Sequence, residues 1–179
     1  MKRGDIILTA KGTSFLARGI VWWQSLWTRK PAHFQHAMRY LGPAGGKSWA
    51  LSQEWKAAIK PFEAWSGQTF RVWSCPYYTD DERIALVEES RLAEGRGYDF
   101  VGILGQALRP IPLLGRLAAK WINMPWATFC SELVATTEQT INPSFLDGKT
   151  AISPQDIDDW CRAHGWECET KTVDSIRPT

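Results

Sequence analysis

Phe34-Gln35-His36-Ala37-Met38-Arg39-Tyr40-Leu41-Gly42, then Pro43-Ala44-Gly45-Gly46, then Ser48-Trp49-Ala50-Leu51-Ser52-Gln53-Glu54, is the stretch on which the fold turns. Two short segments of strand-forming residues flank a cluster of Pro and Gly, which is the pattern of an antiparallel hairpin. The first strand is expected over 34–41 with a stop at Gly42, and the second over 48–54. Before the hairpin, Asp5-Ile6-Ile7-Leu8-Thr9 reads as a buried strand closed by Lys11-Gly12-Thr13-Ser14. Beyond it, further strands are expected over 58–62 and 69–75.

Between the first strand and the hairpin, Phe15, Leu16, Ile20, Trp23 and Trp27 recur at helical steps, with Trp22 and Leu26 widening the apolar face. Later segments are also helical. Thr79 with Glu82 forms a capping box ahead of Leu86, Ser90 and Ala93, and Gly95 or Gly97 provides the stop. Ser153-Pro154-Gln155-Asp156 supplies a cap, a proline at the first helical position and an acid at the third, with Gly165 closing the helix. Strands come first and helices later, so the expected class is α+β with a mostly antiparallel sheet and packed helices.

The chain has 179 residues, a formal net charge of +2, four cysteines and eleven tryptophans. No repeat or linker divides it, so one domain over 1–179 is expected, with a variable helical insertion at about 104–126. Dispersed Lys and Arg give no phosphate-neutralising patch, so nucleic acid is not an expected partner. Ile6-Ile7-Leu8 is too short for a secretory core, and no run of eighteen apolar residues occurs. The expected location is therefore cytoplasmic, with bacterial or phage origin open. The cysteines at 75, 130, 161 and 168 contain no CxxC pair and Cys161-His164-Cys168 lacks a fourth ligand, so neither a metal nor an organic cofactor is expected. Cys75, Cys161 and Cys168 read as structural, the last two in or just after the C-terminal helix. His33 reads as loop or surface.

Two segments can carry chemistry. His36 stands in a strand. Cys130, in Thr128-Phe129-Cys130-Ser131-Glu132-Leu133-Val134, falls in the first turn of a helix that Thr128 can cap, with Glu132 as dipole support. Unpaired N–H groups and the helix dipole there favour a thiolate, and a strand histidine could share the proton.

Gly4-Asp5-Ile6-Ile7, His36 with Gly42 six residues on, Tyr98-Asp99-Phe100, the Phe129–Val134 segment and Ser153-Pro154-Gln155-Asp156 occur in that order. Together they resemble the permuted papain-like amidases of the NlpC-type cysteine peptidase superfamily, which includes lecithin retinol acyltransferase-like enzymes. The resemblance spans roughly Gly4 to Trp160. It implies a circularly permuted papain-like (NlpC-like) fold and a thiol hydrolase acting on a peptide or amide, plausibly in cell-wall material, with Cys130 as nucleophile and His36 as base.

The family's third residue, often a glutamate, falls within 49–55. Alternation puts Ser52 and Glu54 on one face and Gln53 on the other. Glu54 is preferred because a carboxylate stabilises imidazolium; counting back from Ile59-Lys60-Pro61-Phe62 favours Ser52, and Gln53 competes only if the register slips. Tyr98, Trp23 and Trp55 are the expected substrate-binding residues, and seven tryptophans lie near the site in sequence. The helix over 18–30 reads as core packing, a groove wall or a membrane-surface element. The rival readings are a lipid acyltransferase or thioesterase using the same dyad, and a non-catalytic binding module.

Overall fold

A computed structural model describes residues 1–10, 25, 31–98, 127–149 and 152–172. The helix expected over 15–27, with Trp22, Trp23 and Trp27, lies outside the described residues. So do Asp99-Phe100, the 104–126 insertion and the side chain of Tyr98.

Strands β1 (Ile6–Ala10), β2 (Phe34–Ala44), β3 (Lys47–Gln53), β4 (Ala57–Pro61) and β5 (Thr69–Ser74) precede helix α1 (Asp80–Leu92). Short strands β6 (Gly97–Tyr98) and β7 (Ala127–Thr128) then lead to α2 (Cys130–Gln139), α3 (Pro154–Ala163) and β8 (Glu167–Thr172). The main sheet is antiparallel throughout, in the order β4-β3-β2-β1-β5-β8. The protein is therefore α+β. The apolar run Ile6-Ile7-Leu8 takes a central position, where both faces of a strand are covered.

Alternation divides the core. Ile7, Met38, Tyr40, Ala50, Phe70 and Val72 point to one side, under the 3-10 turn Phe62–Trp65. Ile6, Leu8, Ala37 and Trp73 point to the other, against Val134 and Ala135 of α2 and Ile157 and Cys161 of α3. Leu41, Leu51 and Ala57 continue that side against Val87 of α1 and Leu133 of α2. Each fully buried Leu, Ile or Phe removes enough apolar surface from water to contribute roughly 1.5–3 kcal/mol. Trp65, Trp73 and Trp166 are buried in these clusters, with Trp160 packed against them.

Both expected capping boxes are present, at Thr79/Glu82 and Ser153/Asp156. One expectation needs correction, and three strands were not expected. Strand β2 does not stop at Gly42 but runs to Ala44, and the hairpin turns at Gly45-Gly46, both with positive φ. That is the backbone a two-residue hairpin loop demands. Gly42 instead marks a register shift inside the strand, at φ +101°. Cys168, just after the last helix as expected, lies in the unexpected strand β8, paired with Trp73 on β5. The polar run Glu167-Cys168-Glu169-Thr170-Lys171-Thr172 carries no apolar alternation because it is an edge strand with mostly exposed side chains. Finally, β6 and β7 form a parallel pair that the sequence did not announce.

Among the described residues no helix is long and apolar enough to cross a membrane.

Candidate active site

The chain enters α2 from β7, whose pairing with β6 holds the approach to Cys130. Thr128, the expected cap, is one residue too early: Phe129 occupies the N-cap position, and its ring has no acceptor to offer. Glu132 compensates by reaching back to accept the Phe129 N–H at 3.3 Å, a dipole-complementing role that matches the sequence reading. Ser131 Oγ donates to the Ile152 carbonyl at 2.6 Å, tying the same turn to the segment before α3.

Cys130 is the first residue of α2 and is 5% exposed. Its sulfur faces the N–H groups of Ala37, Ser131 and Cys130 itself, all of which favour the thiolate. Burial is the larger effect and pushes the thiol above its ordinary range. Burial thus opposes the thiolate that the helix terminus favours. The residue that lends its N–H, Ala37, directly follows His36, so the nucleophile candidate abuts the backbone beside the base candidate.

His36 sits just after a bulge. Thr9 pairs with His36 and Ala10 with Phe34, leaving Gln35 as the extra residue on β2. The extra residue brings Phe34 to the same side as Ala37 and interrupts the alternation next to His36. Loss of hydration lowers the imidazole to about 4. The Glu54 charge pulls it up, and Lys60 pushes it down again.

The third position is decided by contact. His36 Nε2 lies 2.8 Å from Ser52 Oγ, and Ser52 is 1% exposed. Glu54, the preferred residue on chemical grounds, instead pairs with Lys60 Nζ at 2.7 Å, with both side chains partly in water. It acts on His36 through its charge. Gln53 points the other way, as alternation requires: its Nε2 donates to Gly97 O at 2.8 Å and Arg96 O at 3.3 Å. Gln53 thereby fastens the segment that enters β6.

The structure therefore brings together His36 and Ser52 directly, and places Cys130 against the adjoining backbone. Trp55, at 78% exposure, follows Glu54 at the β3–β4 turn. Tyr98 is positioned by backbone pairing with Thr128, two residues before the nucleophile candidate. Trp23 lies outside the described residues. His33 is exposed, as expected, and its N–H donates to Gln155 Oε1 at 3.0 Å. Among the described residues no three His, Cys, Asp or Glu side chains converge as a metal site.

One supporting residue was not singled out from the sequence. Arg39 is 1% exposed and donates to Glu138 at 2.6 Å, Gly4 O at 2.7 Å and Val134 O at 3.0 Å. Tyr78 donates to the other Glu138 oxygen. This buried network pins α2 to the strand that carries His36. The signal was available: alternation puts Arg39 on the same face as Ala37 and Leu41, where a charge must find a partner.

No family model, curated protein or solved structure matches this chain.

Proposed function

We propose that the chain is a cysteine-dependent hydrolase of the permuted papain-like type, cleaving an amide bond, with cell-wall peptide as the substrate class. The observation that carries the reading is the 2.8 Å contact of His36 Nε2 with Ser52 Oγ, together with a helix-terminal Cys130 whose sulfur meets the N–H of Ala37, the residue after His36. With Nε2–H donating to Ser52, Nδ1 is left as the proton acceptor.

The thiol and imidazole both rest uncharged, because burial opposes charge on each. Substrate carbonyl approach would draw the thiol proton to His36 as sulfur attacks carbon, creating a tetrahedral oxyanion. The Cys130 backbone N–H, in the first helical turn, would stabilise that charge. His36 then returns the proton to the leaving amine, and the C–N bond breaks to give a thioester on Cys130. Water, deprotonated by His36, attacks the thioester and releases the acid and the free thiol. Ser52 orients the ring without a full negative charge, so imidazolium is stabilised mainly by the more distant Glu54.

The test is mass spectrometry of the acyl adduct on Cys130 after exposure to muropeptides and, separately, to fluorescent acyl esters. A muropeptide acyl group on Cys130, absent in Cys130→Ala, is the expected result. An adduct from acyl esters alone would replace the substrate with a lipid ester or thioester. Hydrolysis at full rate by Cys130→Ala would overturn the reading.

A further inference from the structure

A half-open cavity of about 480 Å³ lies where β2, β3 and β4 meet α1, and neither Cys130 nor His36 lines it. Its floor is Leu41 and Val87, which share a buried cluster with Leu133 of α2; Trp49 and the half-exposed Ile84 form walls. The volume is in the range of small-molecule sites.

Two arginines border this apolar hollow. The backbone of Arg3 is held by Arg83, which donates to its carbonyl at 3.1 Å, and by the neighbouring Gly4 N–H to Tyr40 O at 2.9 Å. The Arg3 side chain then crosses Gly42, with Cγ and Nε each 2.7 Å from where a Cβ would stand. The missing side chain and the φ of +101° therefore serve a purpose: they seat a cation at the cavity edge. Arg91, in the last turn of α1, faces Glu88 at 3.7 Å with both side chains more than half exposed, which is a weak ion pair. Arg3 and Arg91 thus both line the cavity, with Glu88 paired weakly to Arg91.

We infer that this cavity binds a small amphipathic anion, an aliphatic carboxylate whose chain covers Leu41, Val87 and Trp49 while its head group meets Arg3 and Arg91. Guanidinium matches a carboxylate in charge and planar geometry, whereas the floor supplies only apolar contact.

The probe is sodium octanoate, titrated into ¹⁵N-labelled protein at pH 7 with octan-1-ol as the uncharged match. Saturable shifts at the Trp49 indole N–H and at the Ile84 and Val87 amides are expected. Octan-1-ol should bind about tenfold more weakly or worse, and Arg3→Ala and Arg91→Ala should each weaken octanoate about tenfold without changing octan-1-ol. Cys130→Ala should titrate like the parent, which keeps this site separate from the proposed reaction. Equal binding of the alcohol, indifference to both arginine substitutions, shifts centred elsewhere, or no saturable shift would each overturn the inference. So would loss of octanoate binding in Cys130→Ala.

Discussion

At the scale of single residues, the contact to His36 and the negative charge near it come from different side chains. Ser52 touches the imidazole, and Glu54 supplies charge from a solvated position on Lys60. Ser52→Ala should therefore lower kcat/KM about tenfold by freeing the ring, whereas Glu54→Gln should change the rate less and move the acid limb of the pH profile down. Steady-state kinetics on the identified substrate distinguishes the two. The thiol makes a second prediction. Since burial outweighs the helix terminus, iodoacetamide should alkylate Cys130 slowly at neutral pH, with the rate rising in the alkaline range. Peptide-resolved mass spectrometry separates it from the exposed Cys168. A plateau of fast labelling down to pH 5 would instead mean a preformed thiolate–imidazolium pair.

Elements are positioned by caps and by buried charge pairs, among them Arg39–Glu138 and Arg83–Asp5. Thr79→Ala removes the hydroxyl that accepts the Glu82 N–H and should cost about 1 kcal/mol in denaturant unfolding. Arg39→Met is a harsher change, because it strands Glu138 without its counter-ion in a site with no water access. A loss of about 3–5 kcal/mol is expected, with Arg39→Met/Glu138→Met recovering much of it. The recovery would show that the pair fixes how α2 sits on β2 more than it adds to stability. The caps were legible in the sequence since each is a local pattern within four residues. Arg39–Glu138 was not, because the partners are 99 positions apart.

For the whole molecule, stability should depend on acid through His36. Its folded value near 4 lies below the ordinary 6.5, so the unfolded chain binds the extra proton between those values. Unfolding free energy should accordingly fall by roughly 3 kcal/mol as pH drops from 6.5 to 4. Burial raises the Asp5 carboxyl, which acts in the opposite sense above pH 3.8, so the parent should be compared with His36→Gln, whose curve should be flatter. Chemical denaturation at a series of pH values measures the difference.

The sequence by itself determined the class, the early strands, the two capping boxes and the pair Cys130 and His36 as the residues to examine. The class, strands and caps follow from periodicity and local hydrogen bonding, which need no knowledge of distant neighbours; the pair follows from residue chemistry together with the ordered motifs that resemble the papain-like amidases. Tertiary structure alone decided that β8 exists, since a polar edge strand is recognisable only by the partner it pairs with. It also showed which of Ser52 and Glu54 touches His36. Alternation gave both the same face, but β3 ends at Gln53, so Glu54 leaves the sheet while Ser52 stays in contact with the imidazole. The upward push on the Cys130 thiol arises in the same way: a helix terminus is written locally, but the depth at which the fold buries it is not.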